Sequence, residues 1–170
     1  HSCYYWNNYE DLAAEIEKSC AHADVKRTVL CIDSPGGVCA GMQEAHKEIR
    51  RIAKVYGKPI LAYVSEQACS AAYCIASACS EIWMPDAGQV GSVGVILCTI
   101  DETEALEKAG LKIRYVVTGK RKADMHPGSP ITDEVLRIAQ EKVDYSGRLF
   151  FAAVGAARGI SAAKVEGYQA

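Results

Sequence analysis

The residues with the clearest chemical potential lie in the stretch EQACSAAYCIAS, residues 66–77. Ser70 stands there among small residues, after an apolar run typical of a buried strand and before a segment typical of a helix. It could be a nucleophile at the start of a helix, or a small polar residue that fills a tight corner. Buried serines are common in alanine-rich helices, so the answer depends on the groups that could serve Ser70.

A serine hydroxyl is a poor nucleophile and needs a base. None of the histidines lies between residues 47 and 125; the four are His1, His22, His46 and His126. His22 is expected to cap the end of a helix, and His46 is expected to face solvent because the apolar stripe of its helix does not include it. His126 follows a predicted strand and stays a candidate. The sequence therefore offers no strong Ser-His-Asp triad.

Lysine is the other possible base. The segment TGKRKAD supplies Lys120 and Lys122 at the carboxyl end of a predicted strand. A lysine accepts a proton only when it is neutral, so burial must lower its pKa from about 10.4 to roughly 7–8. By pattern alone, a Lys-Arg-Lys loop is more often a solvated basic patch, and both interpretations remain open.

The segment IDSPGG, residues 32–37, offers a possible partner for Ser70. It is typical of a turn that closes a strand, but Gly36 and Gly37 would also let backbone N–H groups approach a ligand closely. A second donor would be the N–H of Ala71, at the start of the next helix, where the helix dipole favours negative charge. Two such donors aimed at one point form an oxyanion hole.

Strand-like and helix-like segments alternate along the chain. Strands are predicted at 27–33, 59–65, 81–84, 91–97 and 111–119, and helices at 9–20, 45–56, 69–79, 103–109, 132–157 and from 161. This alternation predicts an α/β fold with a mainly parallel sheet flanked by helices. Ligands of such sheets bind at the carboxyl ends of the strands, so IDSPGG and the turn that carries Ser70 should share a cleft.

Composition limits the class of protein. The 170 residues are 49% apolar, enough for one domain over residues 1–170, and the abrupt start at His1 suggests a trimmed chain, from which an N-terminal anchor could have been removed. The net charge of −2 gives no reason to expect nucleic acid or an anionic membrane as partner. No apolar run reaches the roughly 18 residues of a membrane span. The eight cysteines lack metal-ligand spacing and are interpreted as reduced thiols, so neither metal nor cofactor is predicted.

Four motifs, taken in order, give the chain a family resemblance. They are IDSPGG, KPILAYVSEQACSAAY, PDAGQVGSVGV and TGKRKAD. Together they resemble the S49 family of serine peptidases, which includes signal peptide peptidase A enzymes and phage capsid-maturation (prohead) proteases. The resemblance covers nearly the whole chain and implies a ClpP/crotonase-like fold with repeated ββα/βαβ units.

The resemblance also implies roles for individual residues. Ser70 matches the nucleophile, with S-A-A-Y here where many signal peptide peptidases have S-G-G-Y, and Lys122 matches the base of a G-x-x-K pattern. Gly36 or Gly37, together with Ala71, matches the oxyanion donors. A further element of the family lies beside the substrate groove, and it matches Gly91, Ser92 and Val93.

The function implied is a serine endopeptidase with a Ser-Lys dyad that acts through an acyl-enzyme. Most favoured is a phage or prophage capsid-maturation protease that cuts scaffold or portal-associated proteins in the host cytoplasm or prohead interior. Alternatives are a bacterial signal peptide peptidase without its anchor, a crotonase-type acyl-CoA enzyme and a non-catalytic assembly protein. Family resemblance further implies a homo-oligomer, in which Lys122 serves Ser70 of its own or a neighbouring protomer.

Overall fold

The computed structural model describes residues 8–168 and contains two compact units. The first unit comprises the chain up to Val95 and the chain from Ser146 onward, and the second comprises Ile96–Tyr145. His1 and Cys3 lie outside the described residues. One domain over residues 1–170 stays a prediction.

A four-stranded parallel sheet forms the framework of the first unit. Its strands are β1 (Thr28–Ser34), β2 (Ile60–Cys69), β3 (Glu81–Trp83) and β4 (Gln89–Gly91). β2 is the central strand: β1 pairs along it, β3 pairs with Leu61–Tyr63, and β4 pairs with Gln67–Cys69. Because all pairs are parallel, the turns after β1 and β2 leave the sheet at the same edge.

Helices follow the predicted pattern. They are α1 (Tyr9–Ala21), α2 (Met42–Tyr56), α3 (Ala71–Ala78), α4 (Thr103–Lys108), α5 (Asp133–Arg158) and α6 (Ala162–Glu166). Asn8 caps α1, since its side-chain oxygen accepts a hydrogen bond of 2.8 Å from the N–H of Asp11. Gly57 ends α2 in the left-handed conformation that glycine adopts without penalty. The prediction of a mainly parallel sheet accompanied by helices is confirmed.

Two apolar clusters hold the first unit together. The first joins the sheet to α1, α2 and α3, with Ile49, Ile52, Ile60 and Val64 fully buried. Each such side chain contributes roughly 1.5–3 kcal/mol by leaving water. The second cluster lies around the start of α3 and includes Ala71, Val93, Phe150 and Val154. The start of α3 therefore packs against α5 and against the segment after β4.

Two of the predicted strands are wrong. Residues 111–119 form no strand, and the strand predicted at 91–97 is replaced by β4, which ends at Gly91. The sequence LKIRYVV has strong β propensity, but within residues 8–168 no strand pairs with it, and Val116 is fully exposed. Propensity does not make a strand without a neighbour that accepts its hydrogen bonds.

His46 is buried, contrary to the expectation that it faces solvent. Only 3% of its surface is exposed on α2, and within the described chain its Nε2 atom has no hydrogen-bond partner. Burial, together with the positive charges of Arg50 and Lys47, lowers the pKa of His46 from 6.5 to about 4. His46 is therefore neutral in the folded protein at neutral pH.

His46 should make the protein acid-sensitive. Above pH 6.5 the imidazole is neutral in both states, but between pH 6.5 and 4 only the unfolded chain takes up the proton. The free energy of unfolding should therefore fall by about 3 kcal/mol over this window through His46 alone. The measurement is urea unfolding at pH 7 and at pH 4. Between these two pH values, the free energy of unfolding of His46→Met should fall by about 3 kcal/mol less than that of the wild type. An equal loss of unfolding free energy in wild type and His46→Met would contradict the role of His46 in acid sensitivity.

None of the helices in the described chain is both long enough and apolar enough to cross a membrane. The seven cysteines within residues 8–168 are free thiols, and Cys20, Cys74 and Cys79 are buried among apolar side chains. Burial raises the pKa of both Cys74 and Cys79 to about 12, so these two thiols stay protonated and unreactive.

Candidate active site

Ser70 occupies the single residue between the end of β2 and the start of α3. Its backbone has φ 53° and ψ −123°, a conformation that costs a non-glycine residue about 1–3 kcal/mol. Two hydrogen bonds hold it there: the Ser70 N–H donates to Gly91 O at 2.8 Å, and Ser70 O accepts from the Cys74 N–H at 3.0 Å. The strand-to-helix turn thus presents a strained, partly exposed serine at the carboxyl edge of the sheet.

The turn after β1 lies directly against Ser70. The register of β1 and β2 shifts, so that Ile32 faces Val64 but Ser34 faces Ala68, and the two strands end side by side. A Cβ added at Gly36 would lie 2.8 Å from Ser70 Cβ and 3.3 Å from Ser70 Oγ. Gly36 is therefore required for close approach, and its φ of 121° also favours glycine.

Three backbone N–H groups beside Ser70 differ in their availability. The Gly36 N–H donates to Ser34 Oγ at 3.2 Å. No acceptor within residues 8–168 takes a hydrogen bond from the N–H of Gly37 or of Ala71. Ala71 is the first residue of α3, where N–H groups lack partners within the helix. Gly37 and Ala71 can thus offer donors to a ligand, while Gly36 provides the space.

Replacing Gly36 with alanine should damage the site more than the fold. The new Cβ would overlap Ser70 Cβ, so Ser70 must move, and activity should fall about 100- to 1,000-fold, as for loss of an oxyanion donor. Gly57→Ala is the matched control, since Gly57 also has positive φ but nothing lies within 4 Å of its added Cβ. Gly57→Ala should lose about 1–2 kcal/mol of stability and keep its activity. The measurements are peptide hydrolysis and thermal unfolding of both variants. Full activity in Gly36→Ala would contradict the prediction that activity requires the close approach of residue 36 to Ser70.

The segment predicted to line a substrate groove also adjoins Ser70. Gly91 accepts the Ser70 N–H and has φ 137°, and Ser92 follows with φ 51°. Val93 is buried in the second cluster and anchors the segment. Gly91, Ser92 and Val93 therefore lie in the same unit as Ser70, Gly36, Gly37 and Ala71.

The lysine candidates lie in the second unit. Lys120 and Lys122 are both exposed, and the described residues provide neither side chain with an ion pair or hydrogen bond. Their loop is held by Arg121, which contacts Asp124 at 2.9 Å and Glu134 at 2.7 Å. The Lys122 N–H donates to Gly119 O at 3.1 Å. The role of Lys122 stays a prediction.

His126 and His22 have different surroundings. The His126 ring lies 5.6 Å from the ring of Tyr115, whose hydroxyl donates to Pro127 O at 2.8 Å. His22 caps the end of α1 as predicted. The sequence pattern does not predict the hydrogen bond of 2.7 Å that the Tyr9 hydroxyl donates to Val38 O. The signal for this contact in the sequence is the pair Gly37 and Gly41, which leave room for the Tyr9 side chain.

Comparison with known proteins gives a consistent result. The family described as peptidase family S49 matches residues 52–168. The head-tail preconnector protein GP5 of Enterobacteria phage P21 is 32% identical over 162 residues, which cover 95% of this chain and 32% of that protein. The capsid assembly protease C of Escherichia phage lambda is 30% identical over 153 residues, 90% of this chain and 34% of that protein. This chain spans about one third of the length of these two relatives.

A more distant relative belongs to a bacterium. The putative signal peptide peptidase SppA of Enterococcus faecium is 28% identical over 136 residues, which cover 80% of this chain and 39% of that protein. The match to the S49 family, over residues 52–168, includes Ser70 and Lys122, whereas the IDSPGG turn lies before it.

Proposed function

Because the chain belongs to peptidase family S49, we propose that it is the catalytic part of a serine endopeptidase with Ser70 as nucleophile. The observation that carries the proposal is the strained Ser70, with the Gly36 backbone packed against its Cβ. Such a serine projects from a sharp strand-to-helix turn, and the N–H groups of Gly37 and Ala71 are available nearby. That combination suits acyl transfer.

The reaction follows from these groups. Ser70 Oγ attacks the carbonyl carbon of the scissile peptide while its proton passes to neutral Lys122 Nζ, and the N–H groups of Gly37 and Ala71 stabilise the oxyanion. The C–N bond then breaks, Lys122 returns the proton to the leaving amine, and an acyl ester stays on Ser70. Water attacks the ester with Lys122 again as base, which releases the carboxylate product and regenerates the serine hydroxyl.

Lys122 needs burial before it can act as this base. Its side chain is exposed in the single chain, and a lysine accepts a proton only in its neutral form. We propose that assembly of several copies buries the TGKRKAD loop, since burial favours the neutral form of a lysine. A homo-oligomer would thus be required for activity, whether Lys122 serves its own Ser70 or that of a neighbour.

The substrate is proposed to be an extended polypeptide. The backbone of Gly91–Val93 adjoins Ser70 and can pair with a strand of substrate by β-augmentation. The two phage relatives match more of this chain, and at higher identity, than the bacterial relative does. This difference favours a role in capsid maturation, with scaffold or portal-associated proteins as targets in the prohead. The likeness to a putative signal peptide peptidase supports the alternative of a membrane-anchored enzyme.

The test is proteolysis of unfolded casein at high protein concentration. Products would be identified by mass spectrometry, a fluorophosphonate probe would mark the reactive serine, and the oligomeric state would be measured in parallel. New peptides together with labelling of Ser70 would support the proposal. An assembled protein that cuts nothing and takes no label would refute it in favour of a non-catalytic assembly protein, and retention of a CoA thioester would indicate the crotonase-type chemistry instead.

A further inference from the structure

The turn that carries Gly36 and Gly37 is tied to the first helix by one tyrosine. Tyr9, the first residue of α1, donates its hydroxyl hydrogen bond to Val38 O at 2.7 Å, across 29 positions of sequence. A Cβ added at Gly41 would lie 3.0 Å from Tyr9 Cδ2, and one added at Gly37 would lie 3.5 Å from Tyr9 Oη. The ring therefore occupies the space that side chains at these two glycines would need.

Little else holds this part of the turn. Ser34 Oγ accepts a hydrogen bond from the Gly36 N–H and donates one to Gly36 O at 3.3 Å, and at the far end Cys39 O accepts from the Met42 N–H at 3.2 Å. Between these points, the hydrogen bond from Tyr9 is the only one that the described residues provide to Gly37 or Val38. Gly37 and Val38 are exposed, and without Tyr9 no hydrogen bond from residues 8–168 would hold the Val38 carbonyl.

Tyr9 itself is well anchored. Its side chain packs against both apolar clusters, so the hydroxyl is held by the core of the unit. Burial raises the pKa of the Tyr9 phenol above its usual 10, with further increases from the Cys39 and Cys74 thiols. The phenol therefore remains a hydrogen-bond donor throughout the neutral pH range.

From these contacts we propose that Tyr9 is a positioning residue for the oxyanion hole. By holding the Val38 carbonyl, it restrains the turn two peptide units beyond the Gly37 N–H, which is one of the two proposed donors and whose own peptide is held at Gly36 O by the Ser34 hydroxyl. This inference rests on the proposed function of Ser70. Oxyanion donors act because they are oriented before charge develops, and displacements near 1 Å can cost about 100-fold in rate. Tyr9 would thus affect the transition state more than the bound substrate.

The first test is Tyr9→Phe, which keeps the ring in the apolar clusters and removes only the hydroxyl. We expect kcat for peptide hydrolysis to fall about tenfold or more, with KM changed by less than about twofold, because the lost restraint acts on transition-state stabilisation. Tyr56→Phe is the matched control. The Tyr56 hydroxyl bonds to Glu17 at 3.3 Å, remote in sequence from the turn, and its loss should leave kcat and KM unchanged.

A pair of inhibitors separates positioning from general stability. In a peptide aldehyde, Ser70 Oγ adds to the carbonyl carbon, the hydroxyl proton moves to the aldehyde oxygen, and that oxygen takes the oxyanion position. The corresponding peptide alcohol makes the same side-chain contacts without this addition. Tyr9→Phe should weaken aldehyde binding by the same factor as kcat/KM and leave alcohol binding unchanged.

The possible outcomes are distinct. Wild-type kcat and wild-type aldehyde affinity in Tyr9→Phe would overturn the inference while leaving the peptidase proposal intact. Equal weakening of aldehyde and alcohol would also overturn it, because that pattern indicates a disturbed fold. If the assembled wild-type protein neither hydrolyses peptides nor binds the aldehyde, the proposed function fails, and the role of Tyr9 fails with it.

Discussion

Ser70→Ala should lower the rate of peptide hydrolysis by at least about 10⁴-fold, because removal of a catalytic serine leaves only the rate enhancement of binding and the oxyanion hole. Alanine keeps the Cβ and the same backbone preference, so the hydrogen bonds from the Ser70 N–H to Gly91 and from Cys74 to Ser70 O should persist. The measurement is the initial rate of casein or peptide cleavage, with the oligomeric state confirmed for both proteins.

The matched control for this substitution lies on α3, the helix that follows Ser70. Ser77 is fully buried in α3, and its hydroxyl donates to Cys74 O at 2.6 Å. Ser77→Ala removes a serine hydroxyl from α3 without changing the turn at Ser70, and activity should stay within about twofold of wild type because alanine suits a helix interior. Comparable activity in Ser70→Ala and wild type would show that another residue is the nucleophile.

Lys122→Ala should lower the rate by about 10²- to 10⁴-fold, the range typical of a lost general base. Lys122→Arg should be equally inactive despite its positive charge, because a guanidinium does not give up its proton in proteins. This pair of variants separates the need for a base from the need for a charge. The measurement is peptide hydrolysis by each variant at equal concentration of assembled protein.

Lys120→Ala is the control for the lysine loop. Lys120 is exposed like Lys122 and lies two residues earlier, so its removal changes the loop charge by the same amount. Activity should persist in Lys120→Ala. If Lys120→Ala is inactive and Lys122→Ala is active, the base is Lys120, and survival of both variants would transfer the role to His126.

Sequence reasoning succeeded where the signal is local. The apolar run of β2, the small residues of α3 and the two glycines of IDSPGG predicted a strand, a helix and a tight turn at one edge of the sheet. It failed at residues 111–119, because strand formation depends on a neighbour and not on β propensity alone. His46 was misassigned for a similar reason: a helix in a layered fold can be covered on more than one face, and its own apolar stripe reveals only one of them.

The functional assignment depended on a different kind of information. Nothing in the composition distinguishes Lys122 from Lys120 or selects Gly37 rather than Gly36 as a donor. The ordered family motifs selected the lysine, and the hydrogen bond from the Gly36 N–H to Ser34 Oγ favoured Gly37. Close approach of Gly36 to Ser70 involves residues 34 positions apart, a relation that no local pattern encodes.

The hydrogen bond from the Ser70 N–H to Gly91 O turns the amide of the proposed nucleophile into a probe of its own surroundings. This amide can exchange with deuterated water only when β4 separates from the end of β2. Its exchange rate therefore reports how often the site opens, without any substrate or inhibitor. In an oligomer, comparison of this rate with that of the dissociated chain would measure how strongly assembly closes the site.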